Sequence, residues 1–265
     1  MSQYRQLFTE SSNGVTTITL NRPDKRNALS PTLMKEIVEA LNEAADGDDG
    51  VVILTGAGPA FCAGLDMEHM ATPHSNTHEE GCRDAESMAR MLRTVFEFPK
   101  PIIAAVNGAA IAGGMGLATL CDFTLATPEA KFGYTEVKVG FVPAIVLSFL
   151  LRQVGERRTR ELLLSGRMLK AQEALQFGLV TQIVAAEELI QTAEATAQGL
   201  LQNSPQAMYE VKRLLTLHAK SRLDSELEEA IEINANHRSA EDFREGIEAF
   251  LQHRKPEWPS LHAKA

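Results

Sequence analysis

The sequence predicts an α/β fold followed by a helical C-terminal region, and three observations carry that reading. Residues 51–54 (VVIL) and 102–106 (IIAAV) are continuous apolar runs of strand length, the pattern of strands buried on both faces. Each opens into a glycine-bearing loop, TGAGPAFCAGLD after the first and NGAAIAGG after the second, where a strand ends and the chain turns. From residue 187 onward nearly every segment has helical spacing. A core over residues 1–186 and a helical region over residues 187–265 are therefore expected.

Composition narrows the function. At 265 residues, with 44% hydrophobic and 23% charged residues, the chain suits a soluble globular protein. No run approaches the roughly eighteen apolar residues that span a membrane. The start, MSQYRQLFTE, lacks a basic segment followed by an apolar one, so a cytoplasmic location is expected. Cys62, Cys82 and Cys121 are odd in number and widely spaced, which suits a reducing compartment. A net charge of −9 gives no general attraction for nucleic acid or anionic lipid, so an anionic ligand must be held locally.

Taken in order, residues 15–20 (VTTITL) alternate as a half-buried strand after the turn Asn13-Gly14. The loop NRPDKRN follows, its Arg22, Lys25 and Arg26 forming either a solvated cluster or a site for a phosphorylated ligand. Ser30 caps a helix with Pro31 in its first turn and Leu33, Ile37 and Leu41 as its apolar stripe. The loop 55–66 is not a P-loop, because no Gly-Lys-Ser/Thr ends it, but glycine-rich loops leaving buried strands commonly form ligand sites. His69, His74, His78 and Cys82 come next, the last three spaced so that a helix would align them as zinc ligands. The surrounding Pro73, Ser75, Asn76 and Thr77 favour instead a polar lid over a pocket, and no metal is expected. Residues 86–98 read as a helix.

The segment 102–122, IIAAVNGAAIAGGMGLATLCD, reads as strand, turn and helix. Glycine lets the backbone approach a ligand at Gly113 and Gly114, and the first helical amides are free to donate to an anion. Residues 123–126 form a strand, and 131–143 (KFGYTEVKVGFVP) place Glu136 between apolar residues. Helices are expected over 145–151, 161–164 and 171–177, a strand over 179–184, then helices over 187–203, 205–221, 224–236 and 240–252. Leu214, Leu215, Leu217, Ile231 and Ile233 exceed what a small helical appendage buries on itself, which points to packing on the core or on another subunit.

The phrases NRPDKRNAL, PAFCAGLDM, KPIIAAVNGAAIAGGMGLATLCD, AKFGYTEVKVGFVP and SGRMLKAQEALQFGLV, in this order across nearly the whole chain, resemble the crotonase or enoyl-CoA hydratase/isomerase superfamily. The resemblance implies a spiral of ββα units in two roughly perpendicular sheets, C-terminal helices that assemble trimers or hexamers, and an acyl thioester of coenzyme A as substrate, with no further cofactor. It implies that the backbone amides of Leu65 and Gly113 hold the thioester oxygen. It further implies that Ala60, Ala63, Gly64, Leu65 and Asp66 cradle the adenine end together with Ala28, and that Lys25, Arg26 and a neighbouring subunit's Lys255 meet the phosphates. Two-glutamate hydratases carry an acid where this chain has Gly116, which leaves Glu136 as the sole carboxylate. The closest phrasing is that of bacterial single-glutamate hydratases, including ones named for methylglutaconyl-CoA, so hydration of a 2-enoyl-CoA, branched or glutaconyl-type among the options, is expected. Isomerisation of 3-enoyl to 2-enoyl-CoA and decarboxylation are the alternatives. A serine peptidase is disfavoured because Ser148 sits in VLSFL without G-x-S-x-G.

Overall fold

A computed structural model describes residues 4–71 and 77–261. Its strands sort into two sheets. The larger contains β1 (Leu7–Ser12), β2 (Val15–Leu20), β3 (Val51–Gly56), β5 (Ile102–Val106), β7 (Phe123–Ala126) and β10 (Gln182–Ile183), side by side in that order. β1 and β2 form an antiparallel hairpin whose turn residues Asn13 and Gly14 both have positive φ, and every other pairing in this sheet is parallel. The smaller sheet contains β4 (Ala60–Cys62), β6 (Ala109–Ile111), β8 (Lys131–Gly133) and β9 (Leu169–Lys170). The chain thus visits the large sheet, then the small one, then a helix, three times over: β3 and β4, β5 and β6, β7 and β8. This is the expected spiral.

The helices are α1 (Pro31–Asp46), α2 (Met67–Met70), α3 (His78–Glu97), α4 (Gly113–Thr119), α5 (Ala144–Ser165), α6 (Ala171–Gln176), α7 (Leu189–Leu200), α8 (Pro205–His237) and α9 (Glu241–Leu251). α1 and α3 contribute Leu33, Ile37, Leu41, Met91 and Leu92 to a core that includes Ile18, Leu54 and Ala104 of the large sheet. α7 covers the alternate residues, Val51, Ile53, Ile103 and Ala105, with Leu189, Ala193 and Ala197. Burial on both faces is why these strands are apolar without alternation. Ser30 caps α1 by accepting from the Leu33 N–H at 3.1 Å. Among the described residues no helix is long and apolar enough to cross a membrane.

Several expectations need correction. β1 and the three-residue strands of the small sheet are not evident in the sequence pattern. α5 joins the two predicted helices through a bend at Gly155, where φ is 73°. The lid expected over residues 69–82 is helical from His78, because Thr77 caps α3 by accepting from the Glu80 N–H at 3.2 Å. His74 and its neighbours 72–76 lie outside the described residues. The predicted break at residues 222–223 is absent: α8 runs unbroken for 33 residues because it contains no glycine or internal proline, and buried Leu223, Leu227 and Ala230 continue its packed stripe across that point. Ile231 and Ile233 pack on the core, whereas Leu214, Leu215 and Leu217 remain exposed. Ser148 is helix core, 2% exposed, as expected.

Candidate active site

The parallel pairing of β4 with β6 brings the two glycine-rich loops together. At Gly64 (φ 84°) a β-carbon would meet the Ile111 carbonyl oxygen and the Ala112 β-carbon at 2.9 Å, so only glycine lets the loops close to this distance. Leu65 and Gly113 follow on the two sides of that contact and both line one cavity. Neither amide donates to a backbone carbonyl among the described residues. Ala112, just before Gly113, is held at φ 53° and ψ −126°, a costly conformation for a residue with a β-carbon. Strain of this kind is found where surrounding structure aims a backbone group.

The glycine pair at 113 and 114 divides its work. A β-carbon at Gly114 would sit 2.4 Å from the Cys62 carbonyl oxygen, so that glycine serves close packing of α4 on β4 rather than ligand approach. A β-carbon at Gly113 would meet the flexible end of Met88 at 2.7 Å. Cys62 is no nucleophile: burial pushes its thiol up to about 12.

Glu136 begins a single 3-10 turn, Glu136–Val139, that follows β8. It lines the same cavity, is 9% exposed, and its Oε2 is buried without a hydrogen-bond partner among the described residues. Burial pushes its carboxyl up to about 7, opposed in part by its own backbone N–H. A carboxyl that changes protonation near neutrality can both take and return a proton. Gly116 does not line the cavity. A side chain there would meet Val146 Cγ1 at 3.2 Å and Leu92 at 3.4 Å, and Val146 itself is a lining residue. The space beside Gly116, where the sequence resemblance implied the place of a second acid, is filled by aliphatic groups.

All the remaining residues predicted to meet coenzyme A but Lys255 lie in β4 and the loop after it or in the NRPDKRNAL segment that packs on them. Ala60 is in β4 and Ala63 lines the cavity. The Ala28 carbonyl accepts from the Arg22 guanidinium, whose other nitrogen lies 2.9 Å from Asp66 Oδ2, and Asp66 Oδ1 caps α2. Arg22 and Asp66 are thereby committed to each other. Lys25 pairs with Glu68 at 2.5 Å on the surface, Arg26 is exposed, and Lys255 is exposed beyond α9. Of the histidine-rich stretch, His69 lies 3.4 Å from Asp84, while His78 and Cys82 share a face of α3.

Other site residues had no signal in the sequence. Asn27 is fully buried and at φ 55°; its amide donates to the Ala57 and Ala60 carbonyls and so pins the NRPDKRN loop to β4. The C-terminal helices wall the cavity with Asn234, Arg238, Phe243 and Phe250. α9 touches the Glu136 turn backbone to backbone, since a β-carbon at Gly246 would lie 2.3 Å from the Val139 carbonyl oxygen. Phe243 stacks on Phe141 with ring centroids 5.0 Å apart. Besides Thr135 and Glu136, the polar lining comprises Arg238, which pairs with Asp84 at 2.5 Å, and Asn234, whose Oδ1 is buried with no partner among the described residues.

The sequence profile of the enoyl-CoA hydratase/isomerase family matches residues 10–261. A Thermus thermophilus protein with a provisional enoyl-CoA hydratase name is 40% identical over 244 residues, covering 91% of this chain and 96% of the relative. The 2,3-dehydroadipyl-CoA hydratase of Escherichia coli is 33% identical over 255 residues, covering 96% of this chain and 98% of its own. Among solved structures, an enoyl-CoA hydratase/isomerase from Xanthobacter autotrophicus superposes with a TM-score of 0.87 at 30% identity, over 99% of this chain and 100% of that one.

Proposed function

The chain belongs to the enoyl-CoA hydratase/isomerase family, and from that premise we propose that it adds water reversibly to a 2-enoyl-CoA with Glu136 as its single acid/base. The observation that carries this reading is the buried Glu136 carboxyl, its Oε2 without a hydrogen-bond partner among the described residues, in the same cavity as the Leu65 and Gly113 amides. In hydration, the Glu136 carboxylate takes a proton from water as the oxygen adds to the β-carbon. The electron pair of the double bond moves through the α-carbon onto the thioester oxygen, where the two amides hold the enolate. The proton on Glu136 then passes to the α-carbon. Losing one such donor typically costs about 2.7–4 kcal/mol of transition-state stabilisation.

Asn234, Arg238 and Asp84 support a substrate whose acyl chain carries a polar group, since a buried amide oxygen without a partner is costly until a ligand or water meets it. Two relatives are named for 2,3-dehydroadipyl-CoA and (E)-benzylidenesuccinyl-CoA, acyl groups that bear a free carboxyl. For coenzyme A itself, Arg26 is exposed and Lys25 can exchange its surface partner Glu68 for a phosphate.

The aliphatic filling around Gly116 favours one second reading, isomerisation, because a lone carboxyl suffices to move a proton from the α-carbon to the γ-carbon. The deciding experiment follows the products from a panel of 2-enoyl, 3-enoyl and carboxyl-bearing 2-enoyl thioesters. Hydrated product from the 2-enoyl substrates is expected. Conversion of 3-enoyl-CoA without hydrated product from any thioester would replace hydration by isomerisation.

A further inference from the structure

On the outer side of the α3–α8 contact, away from the chemistry above, three side chains of metal-ligating type converge. His78 and Cys82 stand one turn apart on α3, and Glu232 reaches them from α8. Cys82 Sγ lies 3.5 Å from His78 Nε2, and His78 Nε2 lies 3.7 Å from Glu232 Oε2; all three donor atoms fall within 4.8 Å of one another. With zinc–sulfur bonds of about 2.3 Å and zinc–nitrogen or zinc–oxygen bonds of about 2.0–2.2 Å, tetrahedral geometry separates sulfur from nitrogen by about 3.5 Å and nitrogen from oxygen by about 3.4 Å. Two of the three separations, 3.5 Å and 3.7 Å, are close to those edges, and the third is within 4.8 Å, so small side-chain rotations would close the set.

We propose that His78, Cys82 and Glu232 form a zinc site that clamps the first turns of α3 to α8, with water as fourth ligand. A thiolate and an imidazole together favour a borderline-soft ion over magnesium or calcium. The packing suits this arrangement: the helices are in contact immediately beside the cluster, where a β-carbon on Gly81 would meet the Ala235 Cα at 3.0 Å. Coordination displaces the Cys82 thiol proton to solvent. The ion acts on the cavity only through its walls, because Gly81, Asp84 and Ala85 of α3, Asn234 of α8 and Arg238 at the cap of α8 line it from the other side. Its role is to hold those two walls in register.

The test uses the full chain freed of metal by a chelator and then given zinc, cobalt(II) or magnesium. Equilibrium dialysis should find one zinc per subunit, and cobalt should produce a thiolate charge-transfer band in the near ultraviolet. Cys62 and Cys121 are buried, so the rate of thiol labelling reports on Cys82, and zinc should slow it. His78→Ala, Cys82→Ser and Glu232→Gln should each weaken zinc binding by about tenfold or more, given that even outer-shell partners are worth about 10-fold to 100-fold. Cys82→Ser should also abolish the cobalt band. The zinc-dependent rise in melting temperature should vanish in all three variants, whose metal-free melting temperatures should match the parent because these side chains are not core. Absence of stoichiometric zinc binding by the parent, or zinc affinity unchanged in the three variants, overturns the proposal. Because these are binding and labelling readouts, either result leaves the hydratase reading untouched.

Discussion

Glu136 sits in a turn that buries its Oε2 without a hydrogen-bond partner among the described residues, and its chemistry follows from that cost. Glu136→Gln preserves shape but cannot carry a proton, so turnover should fall by about 10²-fold to 10⁴-fold with coenzyme A affinity unchanged, as steady-state rates and ligand titration would report. As the base for hydration it must be ionised, so kcat/KM should rise with pH through about 7. The stability consequence has the opposite sense. The folded carboxyl is raised from 4.5 to about 7, so folding takes up protons in that window and stability declines as pH rises through it. Glu136→Gln should therefore melt higher than the parent at pH 8 and lose that advantage by pH 4, and an advantage independent of pH would contradict the burial argument. Gly116 bears on the same chemistry. That two-glutamate hydratases carry an acid at this position is what the sequence resemblance implies; the filling of the space by Val146 and Leu92 is not legible there, because that depends on how α4 meets α5 and α3. Gly116→Glu alone should fold poorly and lose activity, since its side chain collides with Val146. Gly116→Glu with Val146→Ala should recover hydration of an unbranched 2-enoyl-CoA, read as loss of enoyl-thioester absorbance.

Elements were legible in proportion to how local their causes are. α1 is written in its own cap, first-turn proline and stripe, and β3 and β5 in their apolar runs, all within a few neighbouring residues. The small sheet is built from strands of two or three residues, too short for any period to register, and it exists because the larger sheet and its helices bring those backbones together. The same holds for α9. Its amphipathic pattern marks a helix, yet nothing in that pattern says that it closes over the turn bearing Glu136. Gly246 is the point of contact, and Gly246→Ala should push α9 from Val139, destabilising the fold by about 1–3 kcal/mol as an overpacked site does. Denaturant melts would measure that loss. Activity should fall with it, because Phe243 and Phe250 leave the cavity wall together with the helix. A variant that melts lower while retaining full turnover would show that α9 supports the fold but not the site.

At the scale of the whole molecule, one apolar helix face is left uncovered by the described residues. Val211, Leu214 and Leu215 fall at helical spacing on the first half of α8 and are 58%, 45% and 64% exposed, with Tyr209 and Leu217 beside them. Lone exposed apolar residues are ordinary, but a stripe along several turns of helix marks an interaction surface. Self-association into a trimer or hexamer is the occupant we expect. Light scattering should give a mass of three or six times 29.0 kDa, and Val211→Glu with Leu215→Glu, which places two carboxylates in the stripe, should shift it toward the monomer without loss of helical circular dichroism. This variant also tests the proposed role of Lys255. If that lysine meets the phosphates of coenzyme A bound to a neighbour, dissociation removes it from the site as surely as mutation does. Lys255→Ala should then weaken coenzyme A binding in the assembled protein and have no further effect in the dissociated variant. Equal losses in both backgrounds would place Lys255 in its own subunit's site, and a parent of 29.0 kDa at every concentration would reject the assembly itself.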